Sequence, residues 1–225
     1  MDNALALRLS TPLPLPQRGG LVRARCGPCE ALLERVRGGF AFVWSDGRRA
    51  ERLHLGLGGG GELLLELRSP EGRVAITPQD PVVVGPGARV RGYVLAPLVP
   101  TLVWRRADGG VAPLHAFVPD TLAAEWRAGA GHGFATISPW CARFPARAAS
   151  QLQAVLPVRV RNDGRVPHEV AAIPFAAPAG LRACRGGLVF DVADLAVSGD
   201  GLAPHRRDRA AGLASTDPTW LEILA

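Results

Sequence analysis

The sequence predicts an all-β protein: antiparallel β-sandwich architecture built from successive hairpins, with one or two short connecting helices. Three observations carry that expectation. Apolar residues alternate with polar ones at the two-residue period of a strand, residues with turn chemistry recur at short intervals, and only brief stretches fit a helical period. The clearest strand opens the stretch from Leu156 to Ile173, where Leu156, Val158 and Val160 alternate with Pro157, Arg159 and Arg161. Asn162-Asp163-Gly164 then turns the chain, because these residues accept positive φ or bond their own backbone, and Val166 to Ile173 is expected to return as the paired strand.

Taken in order, residues 1 to 20 are rich in Leu and Pro without a sustained period and read as an extended arm or irregular edge strand. Gly38-Gly39 then separates EALLERV from FAFVWS, Ser45-Asp46-Gly47 separates that run from the one ending HLGL, and Ser69-Pro70-Glu71-Gly72 joins ELLLELR to RVAIT. Each carries Gly for positive φ or Pro to preset φ, so each is expected to close an antiparallel hairpin. VVVGPGARVRGYVLAP and TLVWRRADGGVAPLHAF continue as a meander turned at Gly85-Pro86-Gly87 and Asp108-Gly109-Gly110. Their prolines suit strand ends and edges, since proline cannot donate to a ladder. The helical candidate in the middle is Asp120 to Arg127, with Asp120 as N-cap, Leu122 and Trp126 one turn apart and Gly129 as the stop. Arg182 to Val197 reads as a further strand pair turned at Gly186-Gly187, and TWLEILA after Asp217-Pro218 reads as a short final helix.

A chain of 225 residues can bury a core without disulfide or metal staples. It is expected to form one β-rich domain over 1–225, or two packed β subdomains joined near 118–133. No stretch approaches the run of about 18 apolar residues that suggests a membrane helix, and the N-terminus lacks a basic segment ahead of an apolar one. A cytoplasmic location is therefore expected, with Cys26, Cys29, Cys141 and Cys184 as thiols. The formal charge of +6 comes from 26 basic residues that are all arginine. Arginine without lysine, beside abundant Ala, Gly and Pro, points to codon bias, and the arginines lack the interleaved aromatics of a strand-binding groove. Nucleic acid is not an expected partner.

Cys26-Gly27-Pro28-Cys29 is the sharpest local motif. CGPC is a redox pair when its first cysteine opens a helix, whose terminus lowers the thiol pKa, so EALLERV would have to be that helix. The alternative is a turn between two strands with incidental cysteines. The upstream LVRAR is short and charged and no βαβ unit surrounds the motif, which favours the turn. A zinc site would need Cys141, Cys184 or one of the scattered histidines His54, His115, His132, His168 and His205 to complete it, and no second close-spaced pair exists. Gly56 to Gly61 matches GxGxxG in form, but ELLLELR follows it as a strand, so it reads as a loop. No metal site, cofactor or catalytic residue is assigned. The segment HGFATISPWCAR gathers the most potentially functional groups, and His132, Trp140 and Arg143 are the candidate ligand-binding residues; the alternative is that Trp140 and Phe144 plug the end of a sheet.

The order of segments PVVVGPG, VLAPLVPTLV, GHGF with SPWCAR, and VRVRNDG with EV resembles an uncharacterised prokaryotic all-β family, the domain of unknown function numbered four-three-two. The resemblance implies a β-rich domain with no assigned activity or cofactor, in some members joined to small mechanosensitive-channel modules. No such module is recognised in this sequence, and no functional residue transfers. The expected function is a soluble, non-catalytic interaction or ligand-binding module whose partner is a protein or a small ligand. Thiol-disulfide exchange at Cys26 and Cys29 and structural zinc binding are the alternatives.

Overall fold

The structure is a computed structural model. It describes residues 5–6, 9–26, 29–58, 60–119, 122–127, 131–145, 152–176, 180–184, 187–199 and 201–204. Among these every regular element is a strand. In chain order they are β1 (Leu5–Ala6), β2 (Ser10–Leu13), β3 (Leu21–Cys26), β4 (Cys29–Val36), β5 (Gly39–Ser45), β6 (Ala50–Leu55), β7 (Gly61–Arg68), β8 (Arg73–Pro78), β9 (Val83–Val84) and β10 (Arg89–Pro97). They continue with β11 (Val99–Arg106), β12 (Val111–Ala116), β13 (Ala123–Arg127), β14 (Gly131–Ser138), β15 (Gln153–Arg161) and β16 (His168–Glu169). The last are β17 (Ile173–Ala176), β18 (Leu181–Cys184), β19 (Gly187–Phe190), β20 (Ala193–Ser198) and β21 (Gly201–Pro204). Among the described residues no helix is long and apolar enough to cross a membrane.

The chain divides into two compact units, the first formed by Met1–Arg68, Leu98–Pro119 and Ser150–Leu152, the second by Ser69–Pro97, Asp120–Ala149 and Gln153–Ala225. In the first unit, one sheet has the order β1-β3-β4-β5-β6 and the other β12-β11-β7-β2. The hairpins β3–β4, β4–β5 and β5–β6 follow the alternation of the sequence, so that Ala31, Leu33, Phe40, Phe42 and Trp44 all face inward. They share one apolar cluster with Leu13, Leu63, Leu65 and Leu102 of the other sheet. Phe117 lies within that cluster, its ring 5.6 Å from Phe42 and 5.5 Å from Trp44. Burying a side chain of this size contributes about 2–3 kcal/mol through removal of apolar surface from water.

In the second unit β15 is the spine. Its nine residues pair with β10 from Arg89↔Arg161 to Pro97↔Gln153 along one edge, while β19 and β20 share the other edge in parallel. Leu156, Val158 and Val160 are buried as the alternation predicts, and Arg159 reaches Asp194 of β20 at 3.6 Å. A second sheet has the order β13-β14-β8-β17, and Phe175 of β17 meets Phe190 of β19 edge to face at 4.7 Å.

Four expectations are corrected. Val166 to Ile173 does not pair with β15, because both edges of β15 are taken; β16 pairs with β9 instead. The turn residue Asn162 is buried, its amide donating to the Val84 and Val166 carbonyls at 2.9 and 2.8 Å while its Oδ1 accepts from the Gly164 N–H. Those bonds lead the chain toward β9 and away from a return along β15. Ser69-Pro70-Glu71-Gly72 closes no hairpin either: β7 lies between β11 and β2, and β8 between β14 and β17. The helix expected over Asp120 to Arg127 is replaced from Ala123 onward by β13, which pairs with β14 from Ala123↔Ala135 to Arg127↔Gly131. A two-turn helix is marginal on its own, whereas a ladder satisfies the same backbone groups; the expected final helix lies outside the described residues. Lastly, β1–β3, β8–β14, β15–β19 and β15–β20 are parallel, so the three sheets that contain them are mixed, while β12-β11-β7-β2 and β16-β9 are antiparallel throughout.

Asn162→Ala should destabilise the second unit by about 1–3 kcal/mol, because it removes three side-chain hydrogen bonds, one of them to the carbonyl of buried Val84. Urea unfolding followed by tryptophan fluorescence measures this; a loss under about 0.5 kcal/mol would show that the turn does not depend on the amide.

Candidate functional site

CGPC does not open a helix. Cys26 is the last residue of β3 and Cys29 the first of β4, and the two are register partners across the antiparallel pair; Gly27 and Pro28 between them, and the side chain of Cys26, lie outside the described residues. Cys29 is buried in the apolar cluster of the first unit. Burial, and secondarily the negative charge of Asp46, push its thiol pKa up to about 11. A redox nucleophile requires the opposite shift.

His132, Trp140 and Arg143 are likewise not assembled into a described pocket. His132 belongs to β14, with its side chain outside the described residues. Trp140 is half-buried and lies on β10, where a Cβ added at Gly92 would stand 2.3 Å from its indole carbons; glycine is what allows the ring to lie there. Cys141 exchanges two backbone hydrogen bonds of 2.9 Å with Tyr93, and Phe144 meets the Tyr93 ring edge to face at 5.5 Å. Arg143 is exposed. Trp140 thus packs at Gly92 of β10 and Phe144 at Tyr93, the next residue of the same strand. Among the described residues no three His, Cys, Asp or Glu side chains come together in a way that could hold a metal ion.

The arrangement with ligand-binding character lies elsewhere, in the first unit. Pro16, Gln17, Arg18, Arg35, Val36, Arg37 and Gly38 line an open groove of about 970 Å³. Two tight turns build it. In Gln17-Arg18-Gly19-Gly20 the Gly20 N–H donates to the Gln17 carbonyl at 2.8 Å, and Gly19 takes φ +73°. In Val36-Arg37-Gly38-Gly39 the end residues are the closing pair of the β4–β5 ladder, and Gly38 takes φ +86°. Positive φ at the third position is the type II requirement that glycine meets without strain, and it places an arginine second in each turn. The Arg35 N–H donates to the Gly20 carbonyl at 3.4 Å, which joins the turns.

Arg35 is held over the Phe40 ring at 4.5 Å, a cation–π contact with its own register partner. Among the described residues no carboxylate pairs with Arg18, Arg35 or Arg37. Glu34, the acid nearest in sequence, projects from the other face of β4 by the two-residue period. Many arginines elsewhere are neutralised: Arg23 and Arg25 by Glu30, Arg68 by Glu66, Arg105 by Glu62, Arg161 by Asp163 and Arg182 by Asp191. Both turns carry the tripeptide Arg-Gly-Gly, at 18–20 and 37–39, but the same tripeptide also stands at 185–187, outside the residues that line the groove, so it does not single out the site in the sequence.

A second polar cluster in the same unit joins His115 to Glu51 at 3.2 Å and Glu51 to Arg49 at 3.1 Å, with the imidazole edge-on to Phe117 at 4.8 Å. Every member has a partner, and the cluster reads as a cross-sheet clamp. Compared with known proteins, the chain matches no family model, no curated protein and no solved structure.

With a pKa of about 11, roughly one Cys29 in a thousand is thiolate at pH 8. Iodoacetamide at that pH should therefore leave Cys29 unmodified in the folded protein and alkylate it only after denaturation, as read by peptide mass spectrometry. Rapid labelling of native Cys29 would contradict its place in the core.

Proposed function

We propose that this chain is a non-catalytic, cytoplasmic binding module of β-sandwich type, and that the groove at residues 16–18 and 35–38 is where it takes its ligand. The observation that carries this reading is that Arg18, Arg35 and Arg37, which have no acid partner among the described residues, line one groove where the Arg35 N–H bonds the Gly20 carbonyl of the first turn. Arginine is always charged and presents five donors in a fixed fork, so three of them lining one groove with no acid partner among the described residues suit recognition more than stability. They suit proton transfer poorly, since a guanidinium does not titrate in the physiological range.

The test pairs two screens on the full chain. A panel of hydrolase, transferase and oxidoreductase substrates should show no turnover, while thermal unfolding against a library of small metabolites should find a compound that raises Tm. A ligand at a hundred times its Kd adds about 2.7 kcal/mol of apparent stability, or a rise of several degrees for a chain of this size. Sustained turnover of any substrate would overturn the reading.

A further inference from the structure

We infer that the groove recognises a terminal phosphoryl group on a soluble small molecule; this rests on the binding-module reading and names its ligand class. Arg18 and Arg37 stand at the second positions of adjoining turns, and Arg35 stands on the strand between them. A planar carboxylate pairs with one guanidinium fork along the edge of its two oxygens, and its remaining acceptor sites lie in the same plane. A terminal phosphoryl group offers three oxygens splayed around phosphorus, and so can accept from forks that approach from three directions.

The form of the groove agrees with a charged ligand. It is open to solvent, and its lining joins Arg18, Arg35 and Arg37 to Gln17 and Gly38, with Pro16 and Val36 as the apolar side chains. An uncharged apolar ligand would find little surface to bury there, whereas an anion keeps part of its hydration and gains charge-assisted hydrogen bonds. The site is also partly preorganised. Arg35 rests on Phe40, and both turns are closed by backbone pairing, one by the Gly20 N–H on the Gln17 carbonyl and the other by the Val36↔Gly39 register pair. Less conformational entropy is then lost on binding than with free side chains. A nucleic-acid strand is less well suited, because the exposed aromatic surface on which bases would stack is missing from the residues lining the groove.

Isothermal titration of the purified full chain with pyrophosphate at low salt tests the inference, with inorganic phosphate, citrate and a mixed-sequence single-stranded oligonucleotide as parallel probes. Pyrophosphate should bind at the groove more tightly than citrate. Arg18→Gln with Arg37→Gln should weaken it by about tenfold or more, and adding Arg35→Gln should remove detectable binding. The double variant changes only exposed turn side chains, so it keeps the test informative if loss of the Arg35 contact with Phe40 impairs folding. A control removing three exposed arginines elsewhere, Arg52→Gln, Arg89→Gln and Arg165→Gln, should change affinity by less than about twofold if the effect is local and not net charge. The inference is overturned if pyrophosphate does not bind, if the control loses as much affinity as the groove variants, or if the oligonucleotide binds more tightly through the same arginines. If pyrophosphate fails while an uncharged library compound raises Tm and the groove variants abolish that rise, the ligand class is wrong and the module stands. Turnover in the substrate panel removes both.

Discussion

The ladder between β4 and β5 is the interaction on which the first unit and its groove depend. Its seven register pairs, from Glu30↔Ser45 to Val36↔Gly39, turn Leu33, Phe40 and Phe42 to the core and bring Arg35 opposite Phe40. The same register leaves only Arg37 and Gly38 to close the hairpin, so the turn is tight and its arginine stands clear of the sheet. A slip of one residue would exchange the two faces of the strand, burying Glu34 and exposing Leu33. Core burial and the presentation of the arginines are thus two faces of one constraint. The cost of shifting register is the loss of several buried apolar side chains, each worth about 2–3 kcal/mol.

In the second unit the corresponding constraint is β15, paired along both edges. Its partners come from distant parts of the sequence, β10 from before it and β20 from after it, and two of its three partnerships are parallel. Asn162 at its end acts as a buried junction, with its amide serving β9 and the segment that leads to β16. Polar groups buried in this way are retained where every bond is satisfied, and Asn162 is satisfied on both its oxygen and its nitrogen.

What was legible in the sequence follows from this division. The all-β class could be read, and so could the local hairpins. The turns at Gly38-Gly39, Ser45-Asp46-Gly47 and Asp108-Gly109-Gly110 each join adjacent paired strands, because short-range pairing is governed by turn residues and period-two patterning. Pro113 lies in the edge strand β12, at the bulge where its register with β11 shifts, as a residue without an N–H should. Non-local pairing was not legible: nothing in RVAIT announces β14 and β17 as partners, and an alternating strand such as LPVRVR does not declare which neighbours will occupy its edges. DTLAAEWR illustrates the remaining error, since its cap and spacing fit a helix but a complementary strand nearby outweighs weak local preference. The groove escaped notice because its arginines look like any others until their acid partners are sought in space, and the CGPC motif drew attention to a place where burial makes the thiol less reactive.

The proposed phosphoryl site rests on Arg18 and Arg37 in two glycine turns and Arg35 on the adjoining strand, none of which has an acid partner among the described residues. A proton–nitrogen correlation titration of the isotopically labelled full chain with pyrophosphate tests it most directly, because it reports the site residue by residue. The account predicts saturable shifts centred on the amides of Arg18, Gly19, Gly20, Arg35, Arg37 and Gly38, with the resonances of Trp140 and Arg143 unmoved. Shifts that gather around Trp140 and Arg143, or that spread over exposed arginines throughout the chain without saturating, would contradict it.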